Sequence, residues 1–369
     1  MPLWIDKYRP LEVRDIDINI EQKETLETML KNSKCNIPHL LMYGPSGSGK
    51  KTRVMAILRS IYGSAVDKIK MEKMTFTLPS SKKIEVDAIA SNYHLEVNPS
   101  DAKTADRHVV QELIKHQANL PSVSTKMSDS TGVKFKVIII AEADRLSKDA
   151  QHALRRTMEK YMKNCRVILL TKSTSRIIEP LRSRCLPIKC RAATNEELKT
   201  VVAKFPLSKE FQTVPAPDEK TLDQIISYSN RDMRKFLLLL EVYKVQTEAG
   251  KNRIDIKNLL PDWELYTERL VQSIMKINSI QQIVPVRNKL YELLIHLIPP
   301  EVIFKKLVEG LTKETSTILR NAIIEAAAKY EHRSRQGSKP IYHLEAFVVE
   351  YLNVSKQYQQ TGRIEVTEF

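Results

Sequence analysis

Short apolar runs alternate with helical patterns over the first 190 positions of the chain. The predicted strands are His39–Tyr43, His94–Val97, Lys136–Ala141 and Arg166–Thr171. Residues with helical apolar spacing lie around these runs, at Glu21–Leu30, at 52–58 after the first strand, at Asp106–His116 and at Lys148–Tyr161. Strands that alternate with helices predict a parallel sheet covered by helices on both faces.

Two further patterns change this picture. Within the insertion Gly63–Asn92, the stretches Met74–Leu78 and Ile84–Ala88 alternate like the strands of a hairpin. Ala118–Gly132 is rich in Ser, Thr and Asp and predicts a surface loop. After about Lys189 the strand signal ends.

Helical patterns dominate the rest of the chain. They cover Asn195–Lys204, Glu219–Ser229 and Asp232–Gln246, with Asn230 as a predicted N-cap, and a second helical block begins after Pro261. We therefore expect an α/β domain followed by two helical domains.

Composition excludes several classes of protein. Of the 369 residues 42% are apolar and 28% charged, which are ordinary globular proportions, and no apolar run reaches the roughly 18 residues that a membrane span needs. No membrane partner and, from Met1–Lys7, no secretory signal is expected. The four cysteines form no C-x-x-C pair and have no histidines at zinc-finger spacing, so we expect no structural metal.

Positive charge is concentrated in the N-terminal two-thirds of the chain. The net charge is +15, and residues 251–369 account for only +3 of it, with 17 Lys and Arg against 14 Asp and Glu. This asymmetry favours a polyanionic partner for residues 1–250, although a merely basic surface would show the same charge.

A phosphate-binding loop is the most specific motif in the sequence. Gly44, Gly49 and Lys50 have the G-x4-G-K spacing, between a predicted strand and a predicted helix. Backbone N–H groups of such a loop cradle phosphates, and its lysine reaches the terminal ones. The alternative is a coincidental glycine turn.

The usual magnesium ligands are missing from this motif. Lys51 stands where Ser or Thr normally ligates Mg²⁺, and Thr52, one residue further on, would be rotated by about 100° on a helix. After the strand that ends in Ile140, Ala141 takes the position of the metal-binding aspartate and Glu142 that of the general base. The sequence therefore describes a pocket that holds phosphates but is poorly equipped to cleave them.

Several motifs in a fixed order give the chain a family resemblance. They are Trp4–Pro10, the phosphate loop, Lys148–Glu159, Arg182–Cys185 and Asp232–Arg234. Over some 230 residues they resemble the small subunits of replication factor C, the eukaryotic sliding-clamp loader among the AAA+ ATPases. The degenerate loop Gly49–Arg53 is most similar to the subunit at the end of the pentameric spiral, whose nucleotide site is inactive.

The resemblance implies roles for individual residues. The implied nucleotide-binding residues are Tyr8, Arg9 and Pro10 around adenine, Gly44, Gly47, Ser48, Gly49, Lys50, Lys51, Thr52 and Arg53 around the phosphates, and Arg234 as the second sensor. Lys172 takes the position of the first sensor, usually asparagine. Glu142 is then a vestigial base. Arg184 matches the arginine finger that reaches into a neighbour's site, while the alternative for it is an ordinary surface arginine.

Four residues at two helix starts are candidates for DNA contact. Ser147 and Lys148 open one helix, and Lys103 and Arg107 lie near the start of another. In clamp loaders the corresponding helices face the central chamber and follow the duplex backbone. A solvated surface is the alternative for each residue; if they bind DNA, the contact depends on salt but not on base sequence.

The resemblance implies an AAA+ core with a parallel sheet at 1–190, a helical lid at 191–255 and an all-α collar domain at 256–369. The implied protein is a clamp-loader subunit in the nucleus that holds ADP or ATP, with Mg²⁺ absent or weakly held. Its implied partners are the other replication factor C subunits, the proliferating cell nuclear antigen, primer–template DNA, and alternative large subunits of checkpoint or unloading complexes. Two alternatives are a self-sufficient ATPase and a DNA-binding scaffold that needs no nucleotide.

Overall fold

A computed structural model describes most of the chain. It covers residues 3–32, 37–77, 83–99, 105–119, 135–203, 217–249, 260–277, 279–313 and 315–361. Contacts within the chain divide it into two units, Met1–Ile254 and Asp255–Phe369. The predicted boundaries between core, lid and collar stay predictions.

The first unit contains a seven-stranded sheet. Its strands are β1 (Leu40–Tyr43), β2 (Lys70–Thr77), β3 (Lys83–Ala90), β4 (His94–Val97), β5 (Lys136–Ile140), β6 (Cys165–Thr171) and β7 (Leu186–Lys189), in the spatial order β2-β3-β4-β5-β6-β1-β7. Strands β4, β5, β6 and β1 are parallel, as predicted, and β7 is parallel to β1, whereas β2 and β3 add an antiparallel hairpin at one edge. The hairpin was anticipated; β7 was not.

Helices surround this sheet and follow it in the chain. They are α1 (Trp4–Lys7), α2 (Ile20–Asn32), α3 (Lys50–Tyr62), α4 (Asp106–Asn119), α5 (Lys148–Lys160), α6 (Glu179–Arg182), α7 (Asn195–Ala203), α8 (Glu219–Ser229) and α9 (Met233–Glu248). The helical pattern places most of these within a few residues of their observed ends. Helix α4 extends into the predicted loop as far as Asn119, and the part of that loop beyond it lies outside the described residues.

The central strands explain why the sheet is buried on both faces. On β5, Ile138 and Ile140 pack into one apolar cluster and Val137 and Ile139 into the other, so alternate residues serve opposite faces. Strand β6 is buried along its whole length. Such two-sided burial is typical of parallel strands covered by helices, and it brings the carboxyl ends of β1, β5 and β6 to one edge of the sheet.

Asn230 differs from its prediction. It closes α8 in the left-handed region, with φ of 51°, instead of opening the next helix. Asp232 is the N-cap of α9, because its carboxylate accepts from the backbone N–H groups of Arg234 and Lys235 at 2.9 and 3.2 Å. Asparagine suits either end of a helix, and the motif alone did not decide between them.

The second unit is helical throughout its described residues. Its helices are α10 (Asp262–Met275), α11 (Ile283–Ile295), α12 (Pro300–Leu311), α13 (Thr317–Gln336) and α14 (Pro340–Thr361). Leu270, Leu290, Leu307 and Phe347 are fully buried members of one core that all these helices share. Across the part of the chain that the structure describes, no helix is long and apolar enough to cross a membrane.

Candidate functional site

The loop between β1 and α3 has the backbone shape that the phosphate-binding motif predicts. Gly44, Gly47 and Gly49 have φ of 153°, 67° and 80°. A Cβ on Gly44 would lie 1.9 Å from the carbonyl oxygen of Cys190, and one on Gly47 would lie 1.8 Å from Oδ1 of Asp232. Side chains at these positions would fill the loop or collide with its neighbours, so glycine is required by both space and conformation.

Ser48 and Arg53 hold the loop from within. The Ser48 hydroxyl donates to the carbonyl of Pro45 at 2.9 Å. Arg53 is buried, and its guanidinium donates to the carbonyls of Ser48 at 2.6 Å and Ile18 at 2.9 Å. Burial lowers the pKa of Arg53. Both side chains thus stabilise the loop in this structure, and their contact with a nucleotide stays a prediction.

Lys50 lies against the loop. Its ammonium donates to the carbonyl oxygens of Gly44 and Pro45, both at 2.7 Å. Burial is the largest cause of the lowered pKa of Lys50. A half-buried ammonium with carbonyl partners is available to exchange them for a stronger anionic acceptor, since hydrogen bonds between ions are the stronger ones.

Two other cations belong to the same electrostatic environment. Besides burial, which is the largest cause, the positive charges of Lys172 and Arg234 lower the pKa of Lys50. Cys190 and Asp144 act in the opposite direction and raise it. Lys172 follows β6 directly, and the N–H of Gly44 donates to the carbonyl of Thr171 at 3.2 Å. The sheet therefore brings the position after β6 next to the start of the loop, and Arg234 approaches from the start of α9.

Lys51 is engaged away from the loop. Its ammonium forms an ion pair with Glu96 of β4 at 2.7 Å, and the Glu96 side chain is only 12% exposed. Thr52 lies half-buried on α3, one residue further on. Glu96 was missing from the sequence prediction, because nothing in its local pattern distinguishes it from other strand carboxylates. The position that normally supplies a metal-ligating hydroxyl thus supplies a paired cation.

The acidic segment after β5 has two different carboxylates. Glu142 adopts the left-handed region, with φ of 49°, and pairs with Arg145 at 3.0 Å. Asp144 is half-buried, and its Oδ1 has no hydrogen-bond partner among the described residues. The buried Thr171 hydroxyl at the end of β6 likewise has no hydrogen-bond partner within the described ranges. Asp144 and Thr171 are the polar groups here that sequence reasoning did not select.

The predicted adenine-pocket segment is associated with the last lid helix. Tyr8, Arg9 and Pro10 are half-buried just after α1. The ring of Tyr8 packs edge-on against Trp4 with centroids 6.0 Å apart, and the N–H of Trp4 donates to Glu241 of α9 at 3.2 Å. The chain start and the lid are thus joined within the first unit.

Arg184 lies outside this cluster, between α6 and β7. Its Nε donates to Glu159 of α5, and its Nη1 donates to the carbonyl of Pro180 at 2.7 Å. The adjacent Cys185 is buried, and burial raises the pKa of its thiol to about 12. Since the thiolate is the reactive form, Cys185 is unsuited to nucleophilic work. The sequence places Glu159 at the end of the motif Lys148–Glu159 but does not indicate that it pairs with Arg184.

The candidate DNA contacts are placed unevenly. Arg107 and Lys148 are exposed at the starts of α4 and α5, and Lys103 lies outside the described residues. Ser147 is already engaged, because its N–H and its hydroxyl donate to the carboxylate of Asp106 at 2.7 and 3.0 Å. Asp106 is buried and joins the two helix starts. Its sequence position marks a helix start, but only the tertiary fold shows its partner.

The chain matches two family models, on separate segments. Residues 18–194 match a model described as DNA polymerase III, delta subunit, and residues 263–359 match the C-terminal domain of replication factor C subunit 3. Replication factor C subunit 3 of Mus musculus is 44% identical over 362 residues, which cover 98% of both chains. Replication factor C subunit 5 of Schizosaccharomyces pombe is 43% identical, over 95% of this chain and 96% of that protein.

The chain belongs to the replication factor C subunits. In this replication factor C subunit the first matched segment spans all seven strands and the phosphate loop, and the second spans nearly all of α10–α14. Its α/β core and its all-helical C-terminal part are thus each matched separately. Among solved structures, the Holliday junction branch migration motor RuvB of Thermotoga maritima matches with 16% identity and a TM-score of 0.45, over 73% of this chain and 79% of that one.

Proposed function

We propose that this replication factor C subunit binds ADP or ATP as a structural ligand, with little or no hydrolysis of its own. It works in the nucleus within a hetero-oligomeric clamp loader, which opens the proliferating cell nuclear antigen ring and loads it at primer–template junctions during DNA replication and repair. In that assembly Arg184 acts on the nucleotide of a neighbouring subunit. Alternative large subunits would recruit the same chain into checkpoint or unloading complexes.

One observation carries the nucleotide part of the proposal. Gly44 and Gly47 lie where an added Cβ would collide with Cys190 or Asp232, which supports the phosphate-cradle interpretation, while Lys51, at the usual metal-ligating position, is paired with Glu96 at 2.7 Å. An ammonium has no lone pair to offer a cation. The residues present therefore fit the phosphates of a nucleotide but fit Mg²⁺ poorly.

The chain's own residues would divide the binding work. Backbone N–H groups of the loop and of the first turn of α3 suit phosphate oxygens, and Lys50, Lys172 and Arg234 supply positive charge where Mg²⁺ normally does. Tyr8 and its neighbours would hold adenine next to α9. A bound nucleotide would thus connect the chain start, the loop and the lid. Glu142, paired with Arg145, would have no ordered water to activate.

Nucleotide binding in the absence of metal is the direct test. We expect the purified chain to bind ADP or ATP with nearly the same affinity in EDTA as in Mg²⁺, and to show no turnover above background. Lys50→Ala and Lys172→Ala should each weaken binding about tenfold or more, since each removes a charge-assisted contact. Lys313→Ala, in the second unit, is the control.

Other results would favour the alternatives. Magnesium-dependent turnover by the chain alone, abolished by Glu142→Gln, would identify a self-sufficient ATPase. If neither wild type nor Lys50→Ala retains nucleotide and the assembly still binds DNA fully, the chain is a DNA-binding scaffold.

The DNA part of the proposal is carried by the two helix starts. Arg107 and Lys148 are exposed there, whereas the Ser147 donors are committed to Asp106. We expect Arg107→Ala and Lys148→Ala, in the assembled loader, each to reduce the slope of log affinity against log salt by about 1, and Ser147→Ala to leave that slope unchanged. Fluorescence anisotropy of primer–template DNA at several salt concentrations measures this slope for wild type and for each variant.

A further inference from the structure

Glu159 and Arg184 are brought together from two parts of the chain. Glu159 lies in the last turn of α5, and its Oε1 accepts from Nε of Arg184, 25 residues further on. Nη1 of the same guanidinium donates to the carbonyl of Pro180 at 2.7 Å and lies 3.4 Å from the Ser183 hydroxyl. The guanidinium is therefore held at Nε by a carboxylate and at Nη1 by a carbonyl.

The backbone beneath Arg184 is fixed independently of Glu159. The N–H of Arg184 donates to Leu181 at 3.2 Å, and Leu186 begins β7 by donating to the carbonyl of His39 at 2.8 Å. Cys185 between them is buried. Loss of Glu159 would therefore release the side chain of Arg184 and leave its backbone in place.

The remaining nitrogen of the guanidinium, Nη2, points to a role. Within the described residues, Nη2 of Arg184 has no hydrogen-bond or ion-pair partner, so its two N–H groups remain to be used. The Arg184 side chain is 33% exposed. The guanidinium is planar and holds its N–H groups in fixed directions, so the orientation of the plane decides whether Nη2 reaches a phosphate oxygen.

Arg155 shares the same carboxylate. Its Nε lies 3.8 Å from Oε1 of Glu159, one helical turn away on α5. With two arginines on one carboxylate, Glu159 keeps a cationic partner on its own helix when Arg184 shifts. The pair between Glu159 and Arg155 on α5 can therefore persist when Arg184 leaves Glu159.

We propose that Glu159 is a positioning residue for Arg184. It holds Nε of the guanidinium so that Nη2 is presented to a phosphate oxygen of a nucleotide on the neighbouring subunit. Exposed ion pairs are weak, so this contact orients the side chain without trapping it. The inference rests on the proposed trans-acting role of Arg184 and adds a second residue to it.

A double-mutant cycle in the assembled loader tests this role. Arg184→Ala should lower kcat at the neighbouring site by about 10³-fold or more, as the loss of an arginine finger does. Glu159→Ala should lower kcat about tenfold with little change in KM, and Glu159→Gln, which keeps an acceptor without charge, should lower it less. In the Arg184→Ala background, Glu159→Ala should have no further effect, because the residue it positions is gone.

A matched control and three measurements separate positioning from loss of structure. Glu219→Ala, which removes another exposed helical glutamate paired with a lysine, is the matched control and should leave kcat unchanged. Thermal unfolding and gel filtration show whether each variant folds and assembles. In the free chain, the NMR signal of the Arg184 Nε–H should exchange with water faster in Glu159→Gln than in wild type.

The outcomes distinguish the two proposals. If Arg184→Ala abolishes turnover but Glu159→Ala matches wild type, Glu159 has no positioning role and the finger assignment stands. If Glu159→Ala lowers kcat equally with and without Arg184, it acts by another route and the inference is overturned. If Arg184→Ala leaves turnover unchanged, the trans-acting role itself is wrong and the positioning role falls with it.

Discussion

At the scale of single residues, the phosphate loop and the lid touch through Gly47. The position that a Cβ would occupy is 1.8 Å from the carboxylate of Asp232, which also caps α9. A side chain at residue 47 would have to displace either the cap or the loop. Gly47 therefore sets how closely the lid approaches the loop.

Gly47→Ala should be markedly destabilising. The left-handed backbone, with φ of 67°, costs alanine about 1 kcal/mol, and the collision with Asp232 adds to it, for a total of about 3 kcal/mol in the free energy of unfolding. Gly49→Ala is the comparison, since Gly49 is also left-handed, with φ of 80° and ψ of 23°, and its added Cβ would meet only the end of the Arg53 side chain, at 3.0 Å. Urea unfolding of both variants measures the difference; equal losses would contradict the contact between loop and lid.

His39 makes folding depend on pH. It is buried, its Nδ1 accepts from the N–H of Val167, and burial with the nearby charge of Arg166 lowers its pKa to about 4. Between pH 6.5 and 4 the unfolded chain binds a proton here that the folded chain does not. The free energy of unfolding should therefore decrease as the pH is lowered through this window, by at most about 1.4 kcal/mol per pH unit from this group.

His39→Gln tests that dependence. Glutamine keeps an acceptor for the Val167 N–H but does not titrate, so the slope of unfolding free energy against pH between 6.5 and 4 should be smaller in the variant. Urea unfolding at several pH values measures both slopes. Equal slopes would place the titration elsewhere.

Residues that act through local chemistry were predictable, and those that act through distant partners were not. The spacing of Gly44, Gly49 and Lys50 fixes the loop, because the motif is contiguous. The partners Glu96 and Asp106 were not selected, since each meets its partner from a distant part of the sequence. The local sequence around a carboxylate in a strand or at a helix start does not identify the residue that it will contact in the fold.

At the scale of elements, Asp106 couples α4 to α5. Its buried carboxylate accepts from the backbone N–H of Arg107 at the start of α4. It also accepts from the backbone N–H and the hydroxyl of Ser147 at the start of α5. Both helix starts present unpaired N–H groups, which favour a nearby negative charge. One carboxylate thus sets the relative position of the two helices proposed to follow DNA.

Asp106→Ala should cost about 3 kcal/mol of unfolding free energy, because donors at both helix starts lose a charged acceptor in a buried site. Asp149→Ala, at an exposed position in the first turn of α5, should cost less than about 1 kcal/mol. Urea unfolding compares them. A loss in Asp106→Ala no larger than in Asp149→Ala would show that the bridge contributes nothing.

Most elements followed from periodicity, and the exceptions have physical reasons. Glu219–Ser229 and His94–Val97 were predicted to the residue, since their apolar patterns end at polar or turn residues. Strand β7 was missed because it is short, contains Pro187, and has three of its four residues exposed. An edge strand of this kind lacks the apolar run that marks a buried strand.

At the scale of the whole molecule, the chain consists of two units with separate cores. The first is built on the sheet, with apolar clusters on both of its faces, and the second on α10–α14. The order of strand and helix patterns predicted this division into α/β and all-α parts. It did not separate core positions from interface positions in the second unit, since apolar side chains on a helix serve a core or an interface equally.

The second unit should fold by itself. A fragment of residues 255–369 should be helical by circular dichroism and unfold in one cooperative thermal transition, because its buried residues form one continuous core. Phe347→Ala in the fragment should cost about 4 kcal/mol, as expected for a fully buried aromatic ring. Gradual melting without a transition would show that the unit depends on the rest of the chain.

The ion pair between Lys51 and Glu96 also constrains how this lineage can change over evolutionary time. A Lys51→Thr mutation would supply a hydroxyl but leave the mostly buried Glu96 carboxylate without its cation, which is costly. On the proposed role of this loop, a metal-binding hydroxyl at residue 51 would thus have to arise together with a change at Glu96, since the single change is unfavourable by itself.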